Sequence, residues 1–201
     1  MARPRPAALR PTLGYFGGSF DPVQTGHLAL ARAALRQEKL RQVHFVPAGR
    51  SPLKSTGPRA SDRDRLRMLR LALGRRREFP VSRWDLGPGP SYTYKTLRRL
   101  RRQNRAEWRL ILGSDSLKHF EKWRRWREIL RHHVVLVGAR KGEKGVRPPR
   151  GFADRVRFLR GPLPRVSSTA IRDRLSRGRS LRGLTPAPVA AYIRRRGLYR
   201  P

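Results

Sequence analysis

The stretch YFGGSFDPVQTGHLAL, residues 15–30, passes from a strand-like pattern into a helical one through a run of small residues and one proline. Upstream, TLGYF (12–16) is short and rich in aromatic and apolar residues. Downstream, GHLALARAALRQEK (26–39) repeats apolar residues at helical spacing. Gly17, Gly18 and Ser19 are therefore expected to form a tight turn whose exposed N–H groups can face an anion. Asp21-Pro22 sets a further turn. A helix starting near Gly26 leaves His27 at its positive end, carried back over the glycines, where one more donor can point at the same phosphate. Taken alone, the stretch is also compatible with a structural turn and a helix-capping histidine.

Working outward, short apolar runs alternate with helical patterns along most of the chain. VHFVP (43–47), FPVSRW (79–84), WRLILG (108–113), HVVLVG (133–138) and VRFL (156–159) read as further strands. Helices are expected over SDRDRLRMLRLAL (61–73), with Ser61 or Asp62 as N-cap, and over SYTYKTLRRLRRQ (91–103) and SLKHFEKWRRWREIL (116–130). Two more follow at SSTAIRDRLSRG (167–178) and PAPVAAYIRRRG (186–197). This order predicts an α/β fold, a Rossmann-like, doubly wound, mainly parallel sheet with helices on both faces. Ligands then bind beyond the carboxyl ends of the strands. ARKGEKGVRPPRG (139–151) reads as a loop, and residues 1–11 as a mobile arm before a single domain over 12–201.

Composition narrows the chemistry without choosing it. The 201 residues contain no cysteine, which excludes disulfides, zinc–thiolate sites and thiol catalysis. No run reaches the roughly 18 apolar residues of a membrane helix, and the first residues lack a signal-like apolar stretch, so a cytoplasmic protein with no membrane partner is expected. A net charge of +36 attracts polyanions of any kind. The arginines are spread through nearly every segment and accompany no zinc-finger or RNP pattern, which argues against a specific nucleic-acid partner. A nucleic-acid-binding protein on a degenerate nucleotide fold nevertheless stays open as the rival class, as does a homo-oligomer.

A second anion-binding pattern lies in RVSSTAIRDRLSRG (165–178). Ser167, Ser168 and Thr169 supply hydroxyls and N–H groups at a helix start. Arg172, three residues after Thr169, shares their face, and its planar fork suits two phosphate oxygens at once. An ordinary serine cap beside a surface arginine is the simpler reading of the isolated segment.

GGSFDPVQTGH resembles the signature of the nucleotidylyltransferase superfamily, a GSFDP or GTFDP turn followed by His or Thr, any residue, Gly and His; SSTAIR matches that superfamily's S-S-T-x-x-R element. Members join a nucleoside monophosphate to a phosphorylated acceptor and release pyrophosphate. GPSYTYKTLRRL (89–100), LGSDSL (112–117), HFEKWRRWREIL (119–130) and LTPAPVAAYIRRRGLY (184–199) further resemble the bacterial nicotinate-nucleotide adenylyltransferases, in family order from residue 13 to 199. The resemblance implies the substrates ATP and nicotinate mononucleotide, with Mg²⁺ carried on the ATP phosphates and no protein-borne metal site. Phosphopantetheine and nicotinamide mononucleotide adenylyltransferases are the alternatives within the superfamily.

By that resemblance, Gly17, Gly18, Ser19, Phe20, Gln24, His27, Gly113, Asp115, Ser168, Thr169 and Arg172 bind ATP. Ser19, Lys54, Tyr92, Thr93 and Trp123 bind nicotinate mononucleotide, and His27, Lys54 and Arg172 are catalytic. The chemistry is compatible: Trp123 can stack on a pyridine ring, N–H groups of Tyr92 and Thr93 at a helix start suit its carboxylate, and Asp115 suits ribose hydroxyls. Trp123 and Trp126, three apart, also fit as plain core residues of one amphipathic helix. Two departures stand out. Gln24 replaces the usual His or Thr, and RSPLK (50–54) has Leu53 where relatives often carry histidine. A paralogue that binds nucleotide without reacting is the consequence to test.

Overall fold

The computed structural model describes residues 10–53, 56–138, 145–161, 163–164 and 166–200. Five strands, β1 (Thr12–Gly18), β2 (Gln42–Pro47), β3 (Glu107–Gly113), β4 (Val135–Gly138) and β5 (Val156–Leu159), form one sheet in the order β2-β1-β3-β4-β5. Every pairing is parallel. The order reverses at β1, whose connections leave toward β2 on one side and β3 on the other, and such a reversal opens a crevice at the strands' carboxyl ends.

The helices are α1 (Thr25–Gln37), α2 (Asp62–Leu73), α3 (Thr93–Arg102), α4 (Ser114–Lys118), α5 (Trp126–His132), α6 (Ser168–Ser176) and α7 (Ala187–Arg195). Alternation along the strands sends neighbouring side chains to opposite faces. Phe16, Phe45, Ile111 and Leu136 pack with α1, α2, α6 and α7 on one face. Tyr15, Leu110, Leu112 and Val135 pack with α3 and α5 on the other. The doubly wound expectation holds because both faces of the sheet are apolar.

Three local expectations change. The segment FPVSRW is not a strand of the sheet; only Val81 bridges Phe45, although Phe45 N–H donates to Pro80 O and Ser82 N–H to Phe45 O. Pro80 has no N–H to continue a ladder, so the segment runs beside β2 without joining it. The expected helix 116–130 is broken: α4 is followed by a 3₁₀ turn at Phe120–Lys122, and Arg125 adopts a left-handed φ of 56° before α5. Finally, β1 continues through Gly18, and the turn proper lies at Asp21-Pro22, with Phe20 at φ 45°. Gly17 is needed for space, since a Cβ there would stand 2.9 Å from the Tyr15 ring. Arg10 and Pro11, the last residues of the expected arm, lie against the sheet, where Pro11 O accepts from Glu107 N–H at 3.0 Å. Residues 1–9, and 139–144 of the expected loop, lie outside the described residues.

Candidate active site

A cavity of about 1060 Å³ opens where the strand order reverses. Gly17, Gly18, Ser19, Phe20, Gln24 and His27 line it from β1 and the start of α1; Ser168, Thr169 and Arg172 line it from α6. From the other side come Gly113 and Asp115 at the β3–α4 junction, Tyr92 and Thr93 at the start of α3, and Trp123 after the 3₁₀ turn. The fold thus gathers in one crevice residues up to 155 positions apart in sequence, Gly17 to Arg172. Lys54 falls outside the described residues; Leu53, beside it, is exposed at the cavity rim.

His27 is the third residue of α1 and half of a capping box. Its Nδ1 accepts from Gln24 N–H at 3.2 Å, while the Gln24 side-chain oxygen accepts from the N–H groups of Gly26 and His27. With Nδ1 accepting that bond, Nε2 is the ring nitrogen left to carry a proton and donate to an anion. The ring is packed edge-on between Phe16 and Phe20, with centroids 5.9 and 5.0 Å away.

Gln24 also has a structural job. Its oxygen caps α1, and its Nε2 donates to Val166 O at 3.1 Å, joining the first motif to the loop before α6. It is buried and borders the cavity, with its oxygen and one of its two N–H donors taken up by these bonds. Ser168 and Arg172 also bind the first motif. The Ser168 hydroxyl donates to Pro22 O at 2.9 Å, and Arg172 donates to Asp21 O at 2.7 Å and to Thr169 Oγ1 at 3.1 Å. Three of the five guanidinium N–H donors remain outside those two bonds.

Residues that sequence reasoning missed hold this arrangement. The buried Asp21 carboxylate accepts from Arg59 N–H at 2.8 Å, Ala60 N–H at 3.1 Å and the Tyr199 hydroxyl at 2.6 Å, with Arg172 at 3.9 Å. Burial, followed by that carboxylate, pushes the Tyr199 hydroxyl far above the ordinary phenol range and keeps it a donor. Fully buried Arg65 donates to Ser19 O at 2.7 Å and to Asp62 at 2.6 Å. Across the cavity, Asp85 accepts from the hydroxyls of Tyr15 and Thr96, while its backbone carbonyl accepts from Gly49 N–H and the Ser91 hydroxyl. Burial and the nearby Asp85 raise Tyr15 well above its usual range as well. Asp21 was read only as part of a turn and Tyr199 only as the end of the stretch 184–199, with no bond between them foreseen; Asp85 and Arg65 carried no spacing that marks them.

The alternative reading of Trp123 and Trp126 as two core residues of one helix does not hold. Trp126 is buried against Phe120 and Phe152, whereas Trp123, half-buried, lines the cavity. The left-handed Arg125 separates them. Among the described residues no group of three or more His, Asp or Glu could hold a metal ion, and no helix is long and apolar enough to cross a membrane.

A parallel sheet with a capped histidine, a serine–threonine–arginine helix and an aromatic rim around one crevice has the form of a nucleotide-transfer site. Residues 15–174 match the family model described as Cytidylyltransferase-like. Over 195 residues the chain is 42% identical to the "Probable nicotinate-nucleotide adenylyltransferase" of Bordetella petrii, covering 94% of this chain and 98% of the relative. The protein of the same name from Rhodopirellula baltica is 39% identical over 204 residues, at 94% and 93% coverage. Among solved structures, Plasmodium falciparum nicotinic acid mononucleotide adenylyltransferase complexed with NaAD superposes with a TM-score of 0.78 at 15% identity, covering 94% and 97% of the two chains, a likeness of fold. The chain belongs to the cytidylyltransferase-like family, on its nicotinate-nucleotide adenylyltransferase branch.

Proposed function

We propose that this chain is an adenylyltransferase that joins the AMP moiety of ATP to nicotinate mononucleotide, giving deamido-NAD and pyrophosphate. The observation that carries this reading is the single cavity lined at one end by His27 and the Ser168-Thr169-Arg172 helix and at the other by Tyr92, Thr93 and Trp123. The first end suits a triphosphate. The second offers a flat aromatic surface and N–H groups at the start of α3, where Tyr92 is the N-cap and no side chain caps the helix.

The reaction is a direct displacement. The acceptor's phosphate oxygen attacks the α-phosphorus of ATP, the bond to the β,γ-diphosphate breaks, and pyrophosphate leaves. Nucleophile and leaving group are ionised near neutral pH, so alignment and charge stabilisation carry catalysis without a general base. His27 donates from Nε2 to the α-phosphate, a role for which the Gln24 cap prepares the tautomer. Arg172 and Thr169 hold the departing pyrophosphate, and Lys54 neutralises phosphate from the rim. Gly113 and Asp115 take the adenosine ribose; a Cβ at Gly113 would meet nothing within 4 Å, so a side chain there would enter open cavity. Magnesium enters as part of the substrate Mg-ATP, held by phosphates and water. The same reading makes residues 12–201 one catalytic unit acting in the cytoplasm.

The test is pyrophosphate release from Mg-ATP offered separately with nicotinate mononucleotide, nicotinamide mononucleotide and phosphopantetheine. Turnover with the first supports the proposal. Turnover with phosphopantetheine alone overturns it.

A further inference from the structure

The chain reversal after the 3₁₀ turn presents Arg124 to the cavity next to Trp123. Trp123 is extended, with φ −74° and ψ 136°, and Arg125 is left-handed, with φ 56° and ψ 35°. Such a reversal costs a non-glycine residue energy, so packing on both sides must hold it. Trp126 is locked into the core beyond it, and Arg125 lies over the Tyr94 ring, 5.5 Å from its centroid. Arg124 in turn lies over the Tyr92 ring at 5.4 Å, with Lys95 at 5.4 Å from the same centroid. The Arg124 guanidinium is thereby drawn to the start of α3, where helix N–H groups already favour negative charge.

We propose that the guanidinium of Arg124 selects an acceptor whose ring carries a carboxylate over one that carries a carboxamide. This rests on the proposed pyridine-nucleotide reaction and goes beyond it. The two acceptors have the same ring, ribose and phosphate and differ by one charge at the ring edge. Trp123 stacks on either ring, and paired N–H groups at the start of α3 favour the two oxygens of a carboxylate over the single oxygen of a carboxamide. A group that senses the charge itself widens that difference. A guanidinium distinguishes them by charge and by its planar fork. Lys122 also lines the cavity and adds to the positive field. The acidic side chains that line the cavity are Asp21 and Asp85, each held by hydroxyl donors, and Asp115 at the β3–α4 junction.

The experiment compares kcat/KM for nicotinate and nicotinamide mononucleotide at saturating Mg-ATP in the natural protein and in Arg124→Gln, Arg124→Lys and Arg127→Gln. Arg127 packs over the Trp126 ring outside the cavity and controls for loss of net charge. Arg124→Gln is expected to lower the acid-to-amide ratio about tenfold, mainly through the KM of the acid. Arg124→Lys should recover a substantial part of the ratio, and Arg127→Gln should leave it unchanged. An equal fall for both acceptors in Arg124→Gln assigns a structural role and overturns the inference, as does an unchanged ratio. A natural protein that prefers the amide overturns the acceptor assignment and Arg124 selection together, whereas an acid-preferring protein with an unchanged ratio in Arg124→Gln overturns Arg124 alone.

Discussion

The two ends of the cavity are fastened by different kinds of bond. At the β1–α1 end, buried polar groups close on one another: Asp21 takes three donors, Arg65 holds Ser19 O, and Gln24 bridges α1 to Val166. At the α3 end, the rim is held by cations over aromatic rings, with Arg124 and Lys95 on Tyr92 and Arg98 and Arg125 on Tyr94. Buried hydrogen bonds fix geometry within tenths of an ångström and are costly to break, whereas cation–π contacts near solvent are weaker and tolerant of position. On the proposed reading, the β1–α1 end, the phosphate end, is built for charge development in one geometry. The α3 end, the acceptor end, is built to be adjusted.

The strongest way to break this contrast is His27→Ala. Removing one preorganised donor from the phosphate end should lower kcat on the order of 10²-fold, roughly 3 kcal/mol, while ATP binding stays within a few fold; steady-state kinetics with both substrates checks this. Asp21→Ala should cost about 3 kcal/mol of stability by urea unfolding, because two N–H groups and a phenol lose a charged partner. Asp85→Asn, measured in the same way, should cost less, and an equal loss would erase the difference between the ends. Trp123→Ala should raise the acceptor KM about tenfold and leave that of ATP unchanged, since a lost stack touches only the pyridine. Equal effects on both substrates would return Trp123 to the core.

Acid should act on the scaffold before it acts on the proposed chemistry. Burial lowers His44 and His133 to about 4 from an ordinary value of 6.5, so both are neutral in the folded chain at neutral pH. In the unfolded chain they take up protons near 6.5. Their contribution is therefore complete above that pH and is lost as pH falls toward 4. The melting temperature should drop across that window, and His44→Gln should flatten the drop. The smallest effect expected is at Gln24. Gln24→His should change kcat/KM by no more than about tenfold and lower stability by about 1 kcal/mol, because an imidazole cannot both cap α1 and reach Val166 O. A natural protein that is inert until this substitution restores turnover would make the phosphate end degenerate.

The sheet and most helices were legible because both rest on repeating patterns: strands with apolar residues on both faces, and helices with a cap such as Ser61 or Ser167. The two stretches expected to bind anions were legible as local spacing, and the fold brings them to one cavity. FPVSRW misled because its composition is that of a strand while Pro80 denies it the ladder. The helix break at Arg125 was hidden because neither glycine nor proline marks it; the burial of Trp126 imposes it from a distance. The structural bond of Gln24 was hidden because its partner Val166 lies 142 residues away. The roles of Asp85 and Tyr199 were hidden because a side chain acquires such partners only from the fold.

The bond from the Tyr199 hydroxyl to Asp21 spans 178 positions. In synthesis the turn at Asp21 precedes its Tyr199 partner by 178 residues. The carboxylate therefore lacks one of its donors until Tyr199 has been made and folded back. Removing the Tyr199 hydroxyl should loosen a site 178 positions away in sequence, a dependence that Tyr199→Phe would expose as lost turnover in a chain that keeps its helical content.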